Sequence, residues 1–100
     1  MIKHIVMWNF KDSAEGKSKL ENMEIVRDLL NSLPPLIPEI KKLETGFDVS
    51  HTSASADFCL ITEFDDINAL NVYIGHPEHV KVGVYVRKVI ETRKSIDFEI

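Results

Sequence analysis

The 100-residue chain predicts an α+β fold of the ferredoxin-like kind, a βαββαβ protomer with one four-stranded antiparallel sheet and helices on one face. Three observations carry this expectation. Segments alternating with period two stand at both ends, "IKHIVMWNF" and "KSIDFEI". Two further extended segments lie mid-chain, separated by a short polar loop. Around that hairpin lie two longer segments with apolar residues at spacings of three and four.

In the first strand Ile2, His4, Val6, Trp8 and Phe10 share one face, with Lys3, Ile5, Met7 and Asn9 on the other. The first helix is expected within "KDSAEGKSKLENMEIVRDLLNSLPPLIPEI". There Leu20, Met23, Val26, Leu30 and Leu33 form a stripe that Ile25 and Leu29 widen. Asp12 with Glu15, and Ser18 with Glu21, both fit the capping-box spacing. Gly16 disfavours a regular first turn, and Pro34 and Pro35 end the helix.

"IKKLETGFDV" reads as the second strand, with Gly46 predicting a bulge or bend. "ADFCLITEF" is the third, with Phe58, Leu60, Thr62 and Phe64 on one face and Cys59 and Ile61 on the other. "DDINALNVYI" opens with N-cap residues and places Ile67, Leu70 and Ile74 at helical spacing. In "YIGHPEHVKV", Gly75 stops that helix and Pro77 starts the next. "VKVGVYV" alternates like a strand. Its continuation through "RKVIETR" sets Val82, Val86, Val89 and Ile90 at helical spacing, which predicts a helix. "KSIDFEI" closes as a short strand.

Length and composition fit a single domain over residues 1–100. A net charge of −4 argues against a nucleic-acid surface, which needs cations for phosphates. The one cysteine, Cys59, excludes an internal disulfide and fits a reducing compartment. No apolar run reaches the ~20 residues that span a bilayer, and "MIKHIVMWNFK" lacks signal-peptide features. The expected setting is the cytoplasm, with no membrane and no nucleic acid as partner.

Two helices cover one face of a four-stranded sheet. The face carrying Val6, Trp8, Phe10, Phe58, Leu60 and Phe64 is expected to be the other, uncovered one. So much apolar surface calls for a partner. A second copy packed sheet to sheet, enclosing a cavity, would cover it. That predicts a homodimer. Val6, Trp8, Phe58, Leu60 and Thr62 become candidate ligand-binding residues, with His4 and Thr62 as the polar groups on an apolar wall.

His76 and His79 are three residues apart, but a catalytic zinc needs a third protein ligand and none stands at a recognised spacing, so no metal is expected. His76 fits an N-cap, Pro77 the first helical position and Glu78 the positive helix end. His79, in the first turn, is expected to have a lowered pKa. A neutral imidazole there, beside the Tyr73 phenol, is the candidate base with an oxygen-binding partner, and His4 could orient either. A buried, hydrogen-bonded structural cluster would leave the same pattern.

The pieces "MIKHIVMWNFK", "LETGFDV", "FCLITEFDDINAL", "VYIGHPEHVKV" and "SIDFEI" resemble the stress-responsive dimeric α/β-barrel (Dabb) proteins. The resemblance covers almost the whole chain, and the HPxH block is its most specific part. It implies a ferredoxin-like protomer, a homodimer forming a dimeric α+β barrel, and a soluble intracellular protein of often undefined role. Some members are similar to polyketide cyclases that use a Tyr and a His without a cofactor; the matching positions are Tyr73 and His79, and the first-strand histidine matches His4. Such cyclases can also carry a polar residue on the third strand, where this chain has Phe58. Two functions follow as expectations. One is a dimer that binds a small hydrophobic molecule, such as a carbonyl compound. The other is a cofactor-independent enzyme of the cyclase, isomerase or monooxygenase kind.

Overall fold

A computed structural model describes residues 1–100. Its four-stranded antiparallel sheet comprises β1 (Ile2–Phe10), β4 (Lys42–Phe47), β5 (Phe58–Phe64) and β6 (Ile90–Glu99), in the spatial order β4-β5-β1-β6. Helices α1 (Lys19–Asn31), α2 (Ile67–Gly75) and α3 (Pro77–Val89) pack on one face. This is the ferredoxin-like α+β arrangement.

The chain from Asp12 departs from a continuous helix. Two short strands, β2 (Ser13–Ala14) and β3 (Lys17–Ser18), form a tight hairpin. Its turn residues Glu15 (φ 54°) and Gly16 (φ 71°) are both left-handed, the backbone a two-residue hairpin turn demands. Of the two capping-box candidates, Ser18 with Glu21 starts the helix. Glu21 N–H donates to Ser18 Oγ at 3.2 Å, and Ser18 N–H donates to Glu21 Oε1 at 3.0 Å. Met23, Val26 and Leu30 face the core, while Leu20 is exposed. Asn22 was not singled out, yet it is fully buried. Its amide donates to Ala14 O at 3.0 Å and its carbonyl accepts from the Tyr85 hydroxyl at 2.6 Å, tying the small hairpin to α1 and α3.

The strand faces are the reverse of the expectation. Val6, Trp8, Phe10, Phe58, Leu60 and Phe64 lie under the helices and are buried within one chain. The chain's own helices take the larger and more continuous apolar face, because that burial contributes most to stability. The uncovered face is mixed. Ile5 pairs with Ile61 on one side and Ile96 on the other, and Met7 pairs with Cys59 and Lys94. Lys3 and Glu63 stand among these residues.

Three further details differ. Gly46 pairs in register with Cys59; the register shift falls instead between Asn9 and Phe10, opposite the start of β6. In α2 the buried stripe is Leu70 and Tyr73, with Ile67 and Ile74 exposed. Helix α3 ends at Val89, so Arg93, expected on that helix, lies on β6. Ending there gives a ten-residue β6, nine residues of which pair along the free edge of β1, rather than the seven-residue predicted strand.

The hairpin and the cap make separate contributions. Gly16→Ala forces a side chain into the left-handed region and is expected to cost about 1–2 kcal/mol. Ser18→Ala removes the cap and is expected to cost about 1 kcal/mol. Urea unfolding of both variants would measure this, and an unchanged midpoint for either would refute the assigned role.

Candidate functional site

A cavity of about 300 Å³ opens between α3 and the β1–β6 half of the sheet. Val6 and Trp8 from β1 and Leu60 from β5 form its floor. Leu30 of α1, Val82 and Val86 of α3, and Ile90 complete the apolar wall. Five polar side chains line it as well: His4, Tyr73, His79, Arg87 and Arg93. It has the composition of a small-molecule site, mostly apolar with a few convergent polar groups.

Local chain geometry brings the aromatic groups together. Gly75 is the last residue of α2, and His76 (φ −66°, ψ 134°) is extended between the two helices. Glu78 N–H donates to His76 Nδ1 at 3.1 Å, so this imidazole caps α3, with Pro77 at the first turn. His79 is thereby set beside Tyr73, their ring centroids 4.3 Å apart. The Tyr73 ring also packs on Phe64 at 5.0 Å and stands edge-on to His4 at 6.1 Å.

The protonation states follow from the contacts. His79 Nδ1 lies 3.0 Å from Ile74 O. A carbonyl only accepts, so Nδ1 carries the hydrogen and Nε2 keeps the lone pair. Burial lowers the His79 pKa below its ordinary value. The Ile74 carbonyl opposes this, while His4, Arg93 and His76 add to the lowering. Burial raises the Tyr73 pKa well above 10, with the Arg93 charge a smaller opposing effect. The pair is therefore a neutral base beside a phenol that keeps its proton. Tyr73 is 0% exposed, and its hydroxyl makes no hydrogen bond within the protein; the same holds for the buried Trp8 Nε1. Unpaired buried donors are costly and uncommon in a folded protein. His4 is different: its Nδ1 bonds Asp97 Oδ1, directly across the β1–β6 pair.

Of the residues singled out from sequence, His4, Tyr73, His79, Val6, Trp8 and Leu60 meet at this cavity. Phe58 and Thr62 do not line it. Phe58 is enclosed by Trp8, Phe10 and Phe47, with centroids 5.4 to 5.8 Å away. The Thr62 hydroxyl donates to the His4 carbonyl at 3.3 Å. The cavity also lies inside one protomer, between sheet and helices, and not between two copies. Arg87, Arg93 and Asp97 were missed. Asp97 could have been found only from the strand register, which sets it opposite His4. No cluster of three His, Cys, Asp or Glu side chains suited to a metal ion is present, and no helix is long and apolar enough to cross a membrane.

Residues 2–100 match the Stress responsive A/B Barrel Domain (Dabb) family. The chain belongs to the Dabb family. Among curated relatives, olivetolic acid cyclase of Cannabis sativa is 28% identical over 99 residues, covering 97% of this chain and 94% of the cyclase. A crystal structure of a dimeric ferredoxin-like protein of unknown function from Bacteroides fragilis is 30% identical. It superposes with a TM-score of 0.88 over 99% of this chain and 95% of that one. Hydroxynitrile lyase from Passiflora edulis superposes at 0.85 over 99% and 92%, but at 14% identity it bears on the fold alone.

In this Dabb protein the cap and the cavity are separable. His76→Ala is expected to cost about 1 kcal/mol of stability, the usual effect of a lost cap. Tyr73→Phe removes an unpaired buried hydroxyl and is expected to leave stability unchanged or slightly higher. Thermal unfolding of the two variants tests both, and the reverse order of stabilities would contradict the assignment.

Proposed function

We propose that this Dabb protein is a homodimer whose protomers each bind a small apolar carbonyl compound in the cavity and catalyse proton transfer on it. The observation that carries this reading is the buried, unpartnered Tyr73 hydroxyl beside a neutral His79 with Nε2 free. His79 Nε2 takes a proton from the carbon next to the carbonyl. The C–H bond breaks, its electron pair moves onto the carbonyl oxygen, and the Tyr73 O–H donates to that oxygen as charge develops. The enolate carbon then either accepts the proton back or attacks a second carbonyl of the same molecule, with the His79 imidazolium protonating the resulting alkoxide. His4, held by Asp97, orients the Tyr73 side. The likeness to olivetolic acid cyclase supports this class of chemistry, and no cofactor enters these steps. The lone cysteine fits action in the cytoplasm.

The dimer is proposed on the uncovered face, where Ile5, Met7, Ile61, Ile96 and Phe98 form an apolar patch, with Ile96 56% exposed. The dimeric Bacteroides fragilis relative supports it. Ile96→Glu is expected to yield a folded monomer by light scattering at micromolar concentration. A wild-type chain that is monomeric under the same conditions removes this part of the reading.

Exchange of the α protons of 4-phenyl-2-butanone into D2O, followed by proton NMR, tests the chemistry. The protein is expected to accelerate exchange. His79→Ala should lose about 10²-fold or more of the acceleration, and Tyr73→Phe about 10²-fold. Because the folded His79 pKa is depressed, activity should hold below the ordinary histidine value of 6.5 and fall only as pH drops through the lower folded pKa. The same depression means that His79 contributes stability above the unfolded pKa, which is lost over that acidic window. Exchange no faster than in buffer, together with ketone binding in the cavity, would reduce the function to ligand binding.

A further inference from the structure

The charge at the cavity runs against that of the whole chain. The net charge is −4, yet the cavity lining holds Arg87 and Arg93 and no Asp or Glu. Neither guanidinium has a carboxylate within 4.0 Å. Arg93 makes one side-chain bond, to the Ser95 hydroxyl at 3.2 Å. Both arginines are solvent-exposed residues, so they form the rim, while Tyr73 and Trp8 lie at the buried end.

Gly83 adds an independent observation. It lies within α3, where a glycine costs about 1 kcal/mol relative to alanine. A Cβ there would stand 3.3 Å from Arg87 Nη1, tighter than an ordinary contact. The Arg87 guanidinium thus lies close over Gly83, at the edge of the cavity that Gly83 itself lines.

We infer that the ligand of this cavity is an anion: an apolar carbonyl compound whose far end carries a carboxylate, held between Arg87 and Arg93 at the rim. Guanidinium groups bind carboxylates through parallel N–H donors. The two rim charges set which end of the ligand faces outward, which directs its carbonyl inward to the Tyr73 hydroxyl and the Trp8 indole N–H. This rests on the reading of the cavity as the ligand site and adds the charge and polarity of what it takes.

A matched pair of probes tests the inference. Trp8 is the only tryptophan and lines the cavity, so its fluorescence reports binding there. 3-Phenylpropanoate is expected to bind about fivefold or more tightly than 3-phenylpropanamide at low salt, a modest factor because rim charges are partly screened. That preference should shrink at about 0.5 M sodium chloride. In Arg93→Gln and in Arg87→Gln the acid should lose affinity while the amide keeps it. Equal binding of acid and amide by the wild-type protein would overturn the carboxylate assignment and leave the cavity reading standing. If neither probe changes Trp8 emission, both fail. A salt-insensitive preference that survives in both variants would also overturn it.

Discussion

Strand β1 is paired on both sides, with β5 along Ile2–Trp8 and with β6 along Ile2–Phe10. Because side chains alternate, a slip of one residue in either pairing would send every side chain of that strand to the opposite face. The cavity depends on this phase. It directs His4, Val6 and Trp8 under the helices and leaves Ile5 and Met7 outside. The same register sets Asp97 opposite His4, so a polar side chain in the core is satisfied from an edge strand. Without that pairing, a histidine 5% exposed among apolar neighbours would carry the desolvation cost alone.

The second constraint is the helix break. Pro77 cannot donate a backbone hydrogen bond, and His76 closes one helix while capping the next. Had α2 run on straight into α3, His79 and Tyr73, six positions apart, would stand far round the helix from each other and more than a turn apart. The break folds α3 back so that the rings meet. His79 then finds the Ile74 carbonyl from the end of α2, which selects its tautomer. One proline and one capping histidine thus determine both the position and the protonation of the proposed base.

Much of this was legible in the sequence, for physical reasons that also explain what was not. The His76–Pro77 break could be read because proline and capping chemistry are local. The β1 alternation could be read too, but not which of its faces the helices would take, since both carry apolar residues and only the packed whole decides. The start of α1 misled in a similar way. Asp12–Glu15 and Ser18–Glu21 have the same spacing, and the left-handed turn at Glu15–Gly16 selects the second. Arg93 was hidden because "RKVIETR" reads as helix, and Asp97 because the alternation of Ile96, Phe98 and Ile100 marks a polar position without naming its partner across the strand pair, His4. Asn22 was hidden among helix formers; its role comes from Ala14 and Tyr85, distant in sequence.

The groups that stabilise the fold and those proposed to act are physically distinct. Asn22, Asp57 and His76 have their hydrogen bonds satisfied within the chain: Asp57 accepts from Phe10 N–H at 2.8 Å, and His76 from Glu78. The donors of Tyr73 and Trp8 are buried without such partners, and the two rim arginines have no counter-ion. An unpaired buried donor lowers stability, and the two residues that carry them, Tyr73 and Trp8, both line the cavity, so an acceptor brought to either donor would offset that cost. A negative charge at the rim would add attraction to Arg87 and Arg93, which are solvent-exposed and carry no desolvation cost of their own.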